Sequence, residues 1–465
     1  MRFVLMVVCV FCFVGTTQAQ TLRAGFGEAD ITPKTDGKTP VYIAGFGQNR
    51  KAVGVLDPLM ARVVVLADGK TKIALVSVDL VGLFYEETLK IRKELAEFDY
   101  VLVSSTHNHE GPDTIGIWGP NPFLSGVDPN YLNFVRKQIV RAVKAADKQS
   151  QSVTAKIGVT KAPELLHDSR KPIVKHDDLV AVSFHKKNAK QPVGLLVQWN
   201  CHPETLGGGN KKLSADYVCE TVRHLKQTYK CPVVYLTGTV GGLMTSLHVP
   251  VKSKAGKELK DGTYEKTLRY GRLVGEAAEK ALAKSKPITL SPIKVRARKI
   301  YLPVANKVYL LAFSLGVLKR QAYLWRGKVE VAKRLDKLPK PKTPICMQTE
   351  LAILDLGDLS AACIPGEIYP ELVLNKVQTP VDPGADFMKA KIEPAIYNQM
   401  RGKYKMLIGL ANDELGYILP KRQWDEKAPF CYGRKRSQYG EINSLGPETG
   451  PLLCEAFRKL ARDEK

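Results

Sequence analysis

Short runs of β-branched and aliphatic residues recur along this chain, and many are followed by a longer stretch whose apolar residues fall at helical spacing. That alternation leaves few options, because strands joined through helices build α/β layers whose ligand sites collect beyond the carboxyl ends of the strands. From Arg62 to Leu80, ARVVVLAD and KIALVSVDL flank Gly69-Lys70 and predict a hairpin or two adjacent strands. Glu86 to Phe98 predicts a helix and Tyr100 to Thr106 a buried strand. Further helices are expected over about 131–146, 216–229, 264–283 and Gln321 to Leu338, and after Pro451. Further strands are expected near 153–159, 179–184, 193–199, in VVYLTG, near Leu290 to Val304, over Leu351 to Ile364, and from Lys405 in KMLIGLA. The fold class is α/β: a large mixed multi-layer domain with more than one β-sheet flanked by helices. The Lys-Pro run at Lys337 to Pro344 reads as a loop, so residues 20–465 read as a single domain.

The first residues, MRFVLMVVCVFCFVGTTQAQ, place an Arg before an apolar run that closes on Thr17-Gln18-Ala19, the small-x-small pattern of a signal-peptidase site. Residues 1–19 are therefore expected to be a signal peptide, and the chain to be exported, either secreted or periplasmic. No later stretch reaches the roughly 20 apolar residues of a transmembrane segment. The seven cysteines beyond the leader are dispersed without a CxxC pair, which excludes a disulfide scaffold. A bridge such as Cys431 with Cys454 stays open beside buried free thiols. The formal net charge of +24 reads as a solvated surface or as suited to anionic lipid or acidic substrates, and because the lysines are scattered without a nucleic-acid-reading motif, no nucleic acid is expected.

Four strand ends concentrate the chemistry. His107 and His109 lie two apart after a strand, so both imidazoles address one face. They suit a divalent metal or a hydrogen-bonded strand-end pair. His202 ends the run LLVQWNC before Pro203, and Glu367 follows the apolar strand and Pro-Gly turn of AACIPG. Glu367 is a ligand candidate or a carboxylate at a helix N-terminus. Asn412, Asp413 and Glu414 precede Tyr417 in a polar loop after the last strand. Two histidines, a carboxylate and one open position make up a catalytic zinc centre, whereas structural sites are closed and cysteine-rich. Cys201 offers a thiolate beside His202, but adjacent side chains diverge from a strand.

At these residues the chain resembles the neutral, non-lysosomal ceramidase family. The motifs come in the family's order: Ala24-Gly25-Phe26-Gly27-Glu28-Ala29-Asp30-Ile31-Thr32-Pro33, Gly45-Phe46-Gly47, Asp57-Pro58-Leu59, Ser77-Val78-Asp79, Thr106-His107-Asn108-His109-Glu110-Gly111-Pro112, Asn200-Cys201-His202-Pro203, Pro365-Gly366-Glu367 and Gly416-Tyr417. The resemblance runs from about Ala24 to Phe457 and implies a zinc-dependent amidohydrolase acting on a ceramide-like lipid amide. It implies His107, His202, Glu367 and Tyr417 as zinc ligands, with His109 and Tyr439 at the scissile amide. One departure bears on mechanism. The family's Gly-Asp-Val-Ser-Pro-Asn turn reads Gly238-Thr239-Val240-Gly241-Gly242-Leu243, so Gly241 stands at the serine position and attack by metal-bound water is expected instead of a serine nucleophile. The chain also ends without the C-terminal β-sandwich of full-length ceramidases, which makes amide hydrolysis the expectation and ceramide its first substrate.

In that scheme His109 moves the proton and Tyr439 donates to the developing oxyanion. Asp79, at another strand end, either orients a ligand histidine or is structural. The basic, aromatic stretch from Pro420 to Gln438 reads as a rim for an anionic membrane surface or as a solvated loop. The rival readings are hydrolysis of a different amide or an ester, and a non-catalytic binding protein on the same fold.

Overall fold

The hairpin expected between Arg62 and Leu80 forms because Asp68 folds its own turn. Its Oδ1 accepts the backbone N–H of Lys70 (3.0 Å) and of Thr71 (2.9 Å). The computed structural model describes residues 21–337 and 343–464, so the expected signal peptide and residues 338–342 of the Lys-Pro run lie outside the described residues. The first sheet comprises β1 (Arg23–Asp30), β2 (Met60–Ala67), β3 (Lys72–Val78), β4 (Tyr100–Ser105) and the short β5 (Gln151–Ser152), in the order β4-β3-β2-β1-β5. Helix α1 (Tyr85–Glu94) makes the right of passage from β3 to its parallel neighbour β4, and α2 (Pro129–Lys148) follows. Asp128 caps α2 by accepting from Asn130 N (2.8 Å), with Pro129 at the first helical position.

The next segment supplies β6 (Thr154–Lys161), β7 (His167–Asp168), β8 (Asp178–His185), β9 (Pro192–Trp199), helix α3 (Tyr217–Tyr229), β10 (Val233–Thr237), β11 (Met244–Thr245), helix α4 (Tyr264–Ala283) and β12 (Lys286–Ile288). The order β10-β9-β8-β6-β12 makes a second sheet, and β7 pairs with β11. The third sheet uses β13 (Ile293–Pro303), β14 (Ala322–Trp325), β15 (Ala332–Arg334), β16 (Ile345–Leu356) and β17 (Leu359–Cys363), completed by β19 (Tyr404–Ile408). The two-residue strands β18 (Glu367–Ile368) and β20 (Tyr417–Ile418) pair with each other. Helices α5 (Lys307–Ser314), α6 (Pro370–Leu374), α7 (Ile396–Gln399) and α8 (Thr449–Ala461) complete the described elements.

Alternation along the strands divides the interior. Val63, Val65, Ala74 and Val76 face α2, whereas Val64, Leu66, Ile73 and Leu75 face a core shared with the second and third sheets. The inner face of the second sheet contributes Val180 and Leu196 to that shared core, and the third contributes Leu354 and Met406. The outer face of the second sheet is covered by α3 and α4, and that of the third by α8. Strands covered on both faces read as continuous apolar runs, which is why they were visible in the sequence.

Two expectations are corrected. No helix spans Gln321–Leu338: Ala322–Trp325 pairs with β16 and Ala332–Arg334 with β14, so sheet pairing overrides local helical spacing. The run Leu351–Ile364 is two strands, β16 and β17, reversed at Gly357-Asp358. Of the two alternatives for the cysteines the structure has the free thiols: Cys431 and Cys454 form no bridge, and all seven cysteines beyond the leader are free, six of them buried.

Candidate metal centre

Each sequence-selected group leaves a strand at its carboxyl end. His107 follows β4, His202 follows β9, and Glu367 and Tyr417 open β18 and β20 beyond β17 and β19. Glu367 and Tyr417 are direct register partners in a parallel pair, so their side chains leave the same face. His107 is held at a φ of 63°, in the left-handed region that a non-glycine residue rarely adopts. Its neighbours impose that conformation: Thr106 N donates to Val78 O (2.8 Å) and Asn108 N to Leu80 O (3.1 Å).

The two imidazoles are oriented by backbone. Nδ1 of His107 lies 2.7 Å from Val81 O, and Nδ1 of His202 lies 2.8 Å from Met244 O, so each Nδ1 carries the proton and each Nε2 faces inward. Both Nε2 atoms converge on one carboxylate oxygen, Glu367 Oε2, at 3.2 Å from His107 and 2.9 Å from His202. Burial would lower both imidazole pKa values, but the Glu367 carboxylate reverses this and raises them. Burial likewise pushes the Glu367 carboxyl up, and the two histidines more than offset it, holding it well below the usual carboxylate range. His109 Nδ1 meets Glu204 Oε2 at 3.3 Å without the alignment of a hydrogen bond. Burial takes the His109 pKa down to about 4, and His109 pulls the Glu204 carboxyl to about 2 against its own desolvation.

His107, His109 and His202 offer nitrogen atoms within 4.8 Å of one another, all buried. A divalent ion fits this donor set, because two backbone-fixed imidazoles present bare Nε2 atoms to a shared carboxylate inside a dry site. The tyrosines stand at its edge. The Tyr417 ring lies 6.5 Å from the His202 ring and 5.9 Å from the Tyr439 ring. Tyr417 is buried, and burial followed by the Glu367 charge raises its phenol. Tyr439 is half exposed, with its hydroxyl on Asn443 Nδ2 and its pKa raised to about 12, chiefly by burial.

His107, His109, Glu367, Tyr417 and Tyr439 line a cavity of about 360 Å³ that is also walled by Phe84, Ile115, Trp118, Leu318, Met347 and Leu445. Sequence reasoning missed two groups here. Glu204 carries a signal in hindsight, two residues beyond His202, but Arg320 has none, since only the fold brings it to Asp413 (2.7 Å) and the cavity wall. Glu414, in the loop before Tyr417, lines the same cavity with Oε1 on Gly416 N (2.7 Å) and Oε2 without a partner.

Two other sequence alternatives resolve. Asp79 is structural: its carboxylate takes Arg62 Nη1 at 2.8 Å and Met60 N at 2.9 Å, while His107 is oriented by Val81. Cys201 turns away, its Sγ 3.2 Å from Tyr270 Oη, and burial raises its thiol. A Cβ on Gly241 would lie 2.5 Å from both the Ile368 carbonyl carbon and the Tyr369 ring, so the backbone of β18 closes the position where the family carries serine.

No family model matches the chain. Two solved structures resemble it at probability 1.00. One is the neutral ceramidase from Pseudomonas aeruginosa, with a TM-score of 0.69 at 17% identity, covering 95% of this chain and 74% of that one. The other is a ceramidase complexed with C2, with a TM-score of 0.70 at 15% identity, covering 95% of this chain and 75% of that one. At these identities the likeness is one of architecture, and over nearly its whole length this chain has the neutral ceramidase fold.

Proposed function

We propose that the chain is an exported, zinc-dependent hydrolase that cleaves the amide bond of a ceramide-like N-acyl lipid. The observation that carries the reading is the convergence of His107 and His202 Nε2 on Glu367 Oε2, with His107 and Glu367 lining an apolar-walled cavity. The ligand set on this reading is His107, His202, Glu367 and Tyr417, supported by the register pairing of the last two. When bound, a zinc ion supplies Lewis acidity and makes a water nucleophilic near neutral pH.

The remaining roles belong to side chains. His109, neutral near pH 7 with Glu204 beside it, accepts a proton from the nucleophilic water and returns one to the leaving amine. Tyr439, with its phenol protonated, donates toward the carbonyl oxygen as charge develops there; loss of such a donor costs on the order of 100-fold in rate. The cavity walls take the acyl chain and exclude water. Glu414 and Arg320 in the same wall favour a second reading in which the amide carries a more polar head than a sphingoid base.

The test is metal content of the purified protein together with fatty-acid release from a panel of N-acyl sphingosines, for wild type and His107→Ala. Stoichiometric zinc with turnover, both lost in the variant, is the expected result. Zinc without turnover on the panel moves the substrate to other amides or esters, and absence of metal in the wild type overturns the mechanism.

A further inference from the structure

The mouth of the cavity carries apolar surface that packs against nothing among the described residues. Helix α5 is capped by Asn306, whose Oδ1 accepts from Val308 N at 2.9 Å and Tyr309 N at 3.2 Å, yet Phe313 is its only buried residue. Val308, Leu311 and Leu315 are 56%, 55% and 45% exposed, and their spacing of three and four puts them on one face. Val308 of that face shares a groove with Tyr439, which also lines the cavity, so the face lies beside the cavity's entrance. The loop that supplies Ile117 and Trp118 to the cavity wall carries Phe123 and Leu124 in the open, and Ile442 is exposed beside Tyr439. Scattered apolar side chains on a surface are ordinary, but an apolar helix face grouped around one cavity marks an interaction site.

The charge around this face is mainly positive. Lys307, Lys319, Arg434, Lys435 and Arg436 are exposed, and none lies within 4 Å of a carboxylate among the described residues. Lys307, Arg434 and Arg436 share a groove with Val308 and Ile442. The carboxylates of that groove are engaged elsewhere: Glu426 accepts from Trp424 Nε1 at 2.8 Å, and Glu441 is paired with Arg170 at 2.7 Å. Trp424 itself is buried against Tyr369 and Tyr417, so in the basic Pro420 to Gln438 stretch Lys427, Arg434, Lys435 and Arg436 are exposed while this aromatic ring faces the site.

We propose that α5, the loop around Phe123 and the 434–442 segment form a docking face for an anionic lipid bilayer. The apolar side chains enter the headgroup boundary, the cations meet lipid phosphates, and the cavity opens toward the membrane. This deepens the lipid-amide reading and rests on it: a lipid substrate passes from bilayer to cavity along apolar surface without crossing water.

The experiment is flotation of the full chain with vesicles of phosphatidylcholine alone or mixed with phosphatidylglycerol. Wild type is expected to float with the mixed vesicles and to be released by salt. Each cation removed lowers partitioning about fivefold, so Lys307→Glu, Arg434→Glu and Arg436→Glu together lower it on the order of 100-fold or more. Val308→Asp with Leu311→Asp also abolishes flotation, while both variants keep their metal and the turnover of a water-soluble short-chain amide. Wild type that does not float, or variants that float like wild type, overturn the proposal. A dimer in solution that Leu311→Asp disperses assigns the face to a second copy and also overturns it. Flotation reads binding alone, so a chain that floats without turning over the N-acyl sphingosine panel would count against the ceramide-like substrate and leave the docking face standing.

Discussion

Gly45 shows how closely the histidine cluster is packed. It has a φ of +97°, and a Cβ there would sit 2.3 Å from Cγ of His109. Gly45→Ala is therefore expected to displace His109 and to lower turnover about 100-fold, the usual consequence of misplacing a reacting group by an ångström. Metal analysis of the same variant separates the two donor sets. Retained zinc places His109 outside the ligands, as proposed, whereas zinc lost with turnover would make it one of them. At this scale the sequence was informative wherever a side chain of unusual chemistry followed an apolar run, as at His107, His202 and Glu367. It was silent about Arg320, whose neighbours Asp413 and Glu86 are distant in the chain.

Strands and helices were legible where burial on one or two faces imprints a period on the sequence, as in β2, β3, α2 and α4. They were illegible where pairing, not pattern, makes the element. Ala322–Trp325 and Ala332–Arg334 become strands only through pairing, the first beside β16 and the second beside the first. The glycine-containing β1 and the exposed α5 also lack a clean period, the first because small residues carry little pattern and the second because its apolar side is outward. Within the first sheet, Asp79 ties the start of β2 to the end of β3 through Arg62, both side chains buried. Asp79→Ala leaves a buried guanidinium unpaired and is expected to destabilise the fold by about 3–5 kcal/mol, measured by urea unfolding. A loss below about 1 kcal/mol would show that Arg62 finds another partner or water.

For the molecule as a whole, three sheets share one core, and the candidate centre lies where strands from all of them end. A ligand held only by the native arrangement stabilises it by mass action, about 2.7 kcal/mol at a concentration 100 times its dissociation constant. Chelation is therefore expected to lower the unfolding temperature of the wild type and to leave that of His107→Ala unmoved; an equal shift in both would mean that the ion binds elsewhere. The four proposed donors are spread from residue 107 to residue 417, with the carboxylate and the phenol brought together by a two-residue parallel pair late in the chain. During synthesis both ligand histidines thus emerge well before Glu367, the carboxylate on which they converge. On the proposed ligand set, capture of an ion requires the chain as far as Tyr417, so copies that end before Glu367 are expected to fail to hold it.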